Sequence, residues 1–150
     1  LVSSEVDGPD GDDKASVVFS FPAATYGERL IKILEVAFQV TTVFAGGTIT
    51  IDVGSGTLAT DAAVDDDNVT TVDEDEYIEN ANVSPGSTGL YWCQGSDWLT
   101  AALLKTNQGP EIITPADATV PCVAVYIASS DTITAGKGRV LMQVVEIPKV

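Results

Sequence analysis

Ala45-Gly46-Gly47-Thr48-Ile49-Thr50-Ile51-Asp52-Val53 is the stretch on which the fold turns. Ile49, Ile51 and Val53 alternate with Thr50 and Asp52, so an extended segment here has one apolar and one polar face, as a half-buried strand requires. The two glycines before it supply a tight reversal. Upstream, Val36, Phe38 and Val40 alternate with Ala37, Gln39 and Thr41. Leu30, Ile31, Leu34 and Phe38 also fit a helical stripe, but the β-branched weight of Val40-Thr41-Thr42-Val43 favours a strand, with a bulge near Glu35. Two strands flanking a Gly-Gly reversal predict a β-hairpin.

Working outward, Ser16-Val17-Val18-Phe19-Ser20-Phe21 reads as a strand stopped by Pro22. Residues 1–14, with Glu5, Asp7, Asp10, Asp12 and Asp13, read as an extended, solvated acidic arm. Downstream, residues 79–83 and Gly89-Leu90-Tyr91-Trp92-Cys93 read as strands, whereas Trp98 to Lys105 fits a strand or a short helical turn equally. Val120 to Ala128 and Arg139 to Ile147 are the last strands, with turns at 129–131 and 135–138. Seven or eight strands without a convincing helix predict an all-β antiparallel sandwich or barrel. The expected organisation is an arm over 1–14 and one domain over 15–150, with an acidic insertion at about 57–80.

Composition narrows the function. The 150 residues hold 22 Asp plus Glu against 7 Lys plus Arg and no His, a formal net charge of −15. Fourteen of the 22 acids fall in residues 5–13 and 61–79, so the rest of the chain is nearly neutral. Such an acidic surface repels phosphate, which argues against nucleic acid and anionic membrane as partners. Without His there is no imidazole for a catalytic triad. A non-enzymatic role is expected.

Residues 57–80 carry nine acids and no Lys or Arg and read as a long exposed loop. Asp65, Asp66, Asp67, Asp73 and Asp75 are candidate Ca²⁺ ligands, because hard cations take closely spaced carboxylate oxygens. The spacing is not that of an EF-hand, and the plainer reading is a charged loop that keeps the protein soluble. No other cofactor is implied. Tyr91, Trp92 and Trp98 are close enough to stack on a sugar, although neighbours on a strand face opposite ways and a packing role is the simpler reading. Ala135-Gly136-Lys137-Gly138-Arg139 lacks the spacing and the following helix of a phosphate-binding loop. Cys93 and Cys122 each sit in an apolar run and read as buried free thiols.

The segment Ile33-Leu34-Glu35-Val36-Ala37-Phe38-Gln39-Val40-Thr41-Thr42-Val43-Phe44-Ala45-Gly46-Gly47-Thr48-Ile49-Thr50-Ile51-Asp52-Val53-Gly54 is similar to small jelly-roll virion proteins of tailed bacteriophages. So is Thr134-Ala135-Gly136-Lys137-Gly138-Arg139-Val140-Leu141-Met142-Gln143-Val144-Val145. An apolar strand ending in Thr-Thr and an aromatic leads through a Gly turn into a second strand, and a Gly-rich turn introduces the last one. The resemblance covers residues 16–56 and 120–147. The acidic stretch 57–80 and the Trp-bearing segment 91–105 have no counterpart in it. It implies a jelly-roll-like β-sandwich and a capsid decoration, or cement, protein on the outer surface of the virion. Its partners would be the major capsid protein and further copies of itself, as a homo-oligomer and most simply a trimer. Val123, Val125, Ile127, Leu141 and Val144, on strands apolar on both sides, are the candidate interface residues; such strands mark either a subunit contact or a covered sheet face. The competing reading is a secreted carbohydrate-binding β-sandwich with Ca²⁺ in the acidic loop.

Overall fold

A computed structural model describes residues 2–7, 15–59, 69–83, 89–92 and 112–149. The elements run β1 (Val2–Asp7), β2 (Ala15–Ser20), α1 (Ala23–Tyr26), β3 (Arg29–Ala45), β4 (Ile49–Ala59), β5 (Val69–Asn82), β6 (Gly89–Trp92), β7 (Ile112–Ile113), β8 (Thr119–Ser129) and β9 (Ala135–Pro148). They form two antiparallel sheets. Sheet A has the order β1-β9-β3-β6, with the two-residue β7 also on β3, and sheet B the order β2-β8-β4-β5. Successive strands mostly alternate between the sheets, and each sheet interleaves strands far apart in the chain. That order, around a core shared by a five-stranded and a four-stranded layer, is the jelly roll.

Periodicity explains which faces meet. Ile49, Ile51 and Val53 of β4 and Val123, Val125 and Ile127 of β8 point inward from sheet B. Ile31, Ile33, Val36, Phe38 and Val40 of β3, with Val140 and Met142 of β9, point inward from sheet A, and all belong to one buried cluster. On β3 the inward positions change from odd to even after Ile33. An alternating strand can do this only by inserting a residue, and the β3–β9 register shifts between Ile33 and Glu35. The bulge expected near Glu35 is therefore present, and it leaves Leu34 exposed.

The hairpin expected at Gly46-Gly47 is not formed. β3 lies in sheet A and β4 in sheet B, so the two glycines carry the chain across the sandwich. The alternation in β4 is as expected; its hydrogen bonds go to β8 and β5 instead. β4 and β5 are consecutive strands that do pair, one connection later than the sequence suggested. The crossing is held by its neighbour, the β8–β9 connection. The Thr48 N–H donates to Ser130 Oγ at 2.9 Å, the Ser130 N–H to the Thr48 carbonyl at 3.1 Å, and the Ser129 hydroxyl to the Gly46 carbonyl at 3.2 Å. Gly46 has φ +123°, and a Cβ there would lie 2.2 Å from the Thr132 carbonyl oxygen, so only glycine fits.

Three further expectations change. Residues 135–138 are the start of β9 rather than a turn. Gly138 is required because the Phe38 ring lies over it: a Cβ would sit 2.1 Å from Phe38 Cζ. The arm is extended as expected, but residues 2–7 are hydrogen-bonded along β9 as an edge strand rather than solvated; residues 8–14 lie outside the described residues. Finally, among the described residues there is one short helix. Pro22 at its N-cap offers no side-chain acceptor, and Asp117, from the segment before β8, supplies one instead, with its Oδ1 accepting from the Ala24 N–H at 2.9 Å.

Candidate functional site

The acidic stretch is mostly strand where it is described. Residues 57–59 finish β4, and 69–80 lie in β5, which corrects the expected loop over 57–80. β4 offers an open backbone edge that must be satisfied, and Ile78 of β5 is fully buried in the main core, which anchors the strand despite its charge. β5 is one of the two edge strands of sheet B. Charged side chains on such an edge discourage pairing with another chain. The register is irregular at the acids. Ile78 pairs with Val53 and Asp73 with Ser55, so Glu74, Asp75, Glu76 and Tyr77 bulge opposite Gly54 alone.

Of the candidate Ca²⁺ ligands, Asp73 and Asp75 are in β5, one paired to β4 and the other in the bulge. Asp65, Asp66 and Asp67 lie outside the described residues. Among the described residues no group of three or more acidic or Cys side chains is arranged to hold a metal ion. Tyr91 and Trp92 occupy adjacent positions on β6, opposite Phe38 and Ala37 of β3. Trp98 and Cys93 are outside the described residues.

The candidate interface residues divide. Val123, Val125 and Ile127 are wholly buried in this chain's own core, facing sheet A, and have no surface left to offer another subunit. The other face of β8 is covered as well. Cys122 and Ala124 alternate with those core residues yet are also buried. Cys122 joins Leu58, Val120 and the partly buried Val69 in a second, smaller cluster, set by the Leu58–Val120, Leu58–Val69 and Gly56–Cys122 register. The two-sided apolar pattern of β8 therefore reports a covered sheet, not a subunit contact. Val144 packs partly against the main core, and Leu141 is half-buried on the outer face of sheet A.

Cys122 is a free thiol, as expected. Burial pushes it up from 9.0 to about 11, against a smaller lowering from a hydrogen bond with the Gly56 backbone. A thiol so held is protonated at neutral pH and is not a nucleophile.

Charge is sorted between the sheets. In sheet B, Asp52, Asp73, Glu74, Asp75, Glu76 and Glu79 have no cation among them. In sheet A, Arg29, Lys32, Lys137 and Arg139 balance Glu5, Asp7, Glu35 and Glu146. The balance extends to register: Glu5 lies directly opposite Arg139 and Asp7 opposite Lys137, the arrangement in which opposite charges favour strand pairing. At the far end Arg29 forms an ion pair with Glu146. In the neighbouring groove, lined by residues 24–29 and by Pro148 and Lys149, the Lys149 N–H donates to the Glu28 carbonyl.

Among the described residues, the outer face of sheet A carries exposed apolar side chains. Ile112 is 55% exposed, Leu34 45% and Val145 44%. Register places Lys32 between Ile112 on β7 and Val145 on β9. Sequence reading missed this patch. Its one signal was Leu34, the apolar residue that falls out of phase at the bulge. Comparison with protein-family models, with curated proteins and with solved structures gives no match.

Proposed function

We propose that this protein is a non-enzymatic virion component, a decoration or cement subunit that binds the outer surface of a tailed-phage capsid as a homo-oligomer and stabilises the shell. The observation that carries the reading is the strand order of the two sheets, β1-β9-β3-β6 and β2-β8-β4-β5. It is the jelly-roll topology that the resemblance of residues 33–54 and 134–145 leads one to expect. Jelly rolls serve lectins as well as capsids, so topology alone does not choose between them; the resemblance gives the choice. Cement function needs burial of surface across subunits and no reacting group. Binding to an assembled lattice, and not to its dissociated subunits, stabilises the lattice by mass action.

The test is co-sedimentation of purified protein with empty shells of the major capsid protein from the same genome, with shell melting followed by calorimetry. Saturable binding and a higher shell melting temperature are expected. No binding at micromolar protein overturns the reading, and glycan-array binding in that case places the protein with the carbohydrate-binding sandwiches.

A further inference from the structure

The exposed large apolar side chains among the described residues all belong to sheet A: Leu34 and Val43 on β3, Ile112 on β7 and Val145 on β9. Charge follows the same division. The strands of sheet A carry four acids and four cations and sum to zero, whereas those of sheet B carry acids alone. Copies of a chain with a net charge of −15 repel one another. That repulsion is smaller through the neutral sheet than through the acidic one, and the neutral sheet is also the one with apolar groups left to bury. A pair that turns its A sheets inward keeps its B sheets on opposite outer sides.

The bulge in β3 gives such a pair its register. Ile31 and Ile33 are in the core, so Lys32 between them faces outward, flanked across the sheet by Ile112 and Val145. The extra residue between Ile33 and Glu35 then leaves Leu34 and Glu35 both exposed. Lys32 and Glu35 therefore stand on either side of Leu34, and among the described residues neither has an ion-pair partner. Opposite charges about an apolar centre make a self-complementary patch. A half-turn about an axis that lies in the contact plane and crosses β3 at Leu34 sets a second copy's Glu35 over Lys32, and its Lys32 over Glu35.

We infer that the outer face of sheet A is the contact between two copies of this chain, packed face to face on a two-fold axis, with Lys32 and Glu35 exchanging ion pairs around Leu34, Ile112 and Val145. The inference rests on the homo-oligomer in the proposed function and makes its repeat an isologous pair; it needs no shell.

Sedimentation equilibrium of the full chain, without capsids, tests it. The wild type is expected to be a dimer at micromolar concentration. K32E sets two acids against each other twice in the pair, and E35K does the same with two ammonium groups, so each alone is expected to dimerise roughly tenfold or more weakly. Two combinations restore every pair of opposite charges. The double variant K32E/E35K should dimerise with itself, and an equimolar mixture of the single variants should form a 1:1 heterodimer. A monomeric wild type overturns the contact, as does unchanged association of either single variant, or a failure of both combinations to recover. Should a single variant fail to fold, judged by its circular dichroism melt, L34S/V145S replaces it, since it alters exposed side chains only; this variant is expected to be monomeric, and a dimer there overturns the contact. Capsid binding is measured separately. A monomer that binds shells sinks this contact and leaves the decoration reading standing, and a dimer that ignores shells does the reverse.

Discussion

Raising the pH should destabilise this protein through Cys122, and the size of the effect follows from its burial. The thiol is pushed from 9.0 to about 11 in the folded chain. Because the folded value is the higher one, the fold holds the proton more tightly than the unfolded chain does. The stabilisation is complete below pH 9.0, where both states are protonated, and is lost as pH rises towards about 11. Two units correspond to a ceiling of about 2.7 kcal/mol, and at about pH 10.5 the loss is already about 2 kcal/mol. The assay is urea unfolding of wild type and Cys122→Ala at about pH 8 and about pH 10.5, followed by tryptophan fluorescence. Alanine leaves a small cavity whose cost is the same at both pH values. Tyrosine and lysine titrations affect both proteins alike. The wild type should therefore lose about 2 kcal/mol more than the variant between the two conditions. Parallel losses would show that the thiol ionises without penalty, and hence that the outer face of β8 is open to water.

Three further outcomes are expected. Asp117→Ala removes the acceptor for the Ala24 N–H and should cost about 1 kcal/mol, read as a lower melting temperature, with Asp117→Asn retaining most of the stability. Gly138→Ala drives a methyl group into the buried Phe38 ring and should destabilise by about 1–3 kcal/mol; relief by a smaller side chain in Gly138→Ala/Phe38→Leu would identify that clash as the cause. Replacing Glu5 and Asp7 by Lys sets like charges opposite Arg139 and Lys137, at a cost of roughly 0.2–1 kcal/mol per pair. Faster amide exchange confined to β1 is the expected readout, and unchanged β1 protection would deny the charge register any role in docking that strand.

Period-two patterning in Ile49, Ile51 and Val53, and the phase change in β3 after Ile33, reported strands, their inner faces and a bulge, because burial of one face acts directly on residue type. What it could not report was pairing. Gly46-Gly47 encodes a reversal, and a reversal within a sheet and a crossing between sheets make the same local demand. The acids of 69–80 hid β5, whose place depends on an open β4 edge and on Ile78 rather than on its own composition. α1 was invisible because its capping group, Asp117, lies far along the chain. Val123, Val125 and Ile127 read as an interface because apolar residues on both sides of a strand say that both are covered, and not by what. The Lys32 patch left still less trace, since Ile112, Lys32 and Val145 become neighbours only through the β7–β3–β9 register.

The position of β9 bears on how the protein is made. It lies between β1 and β3, so until residues 135–148 have been synthesised β1 has no strand to pair with and β3 has only the short β6 and β7. β8, at residues 119–129, likewise joins β2 to β4. On the ribosome, β1 and β2 therefore emerge long before anything they pair with, and Phe38, Val40 and Ile31 of β3 lack the facing β8 and the flanking β9 until those late strands follow. Non-local pairing of this kind folds slowly, over milliseconds to seconds, so the sandwich cannot close before β9 has emerged, and until then the nascent chain is a natural client for a chaperone that binds apolar, extended segments.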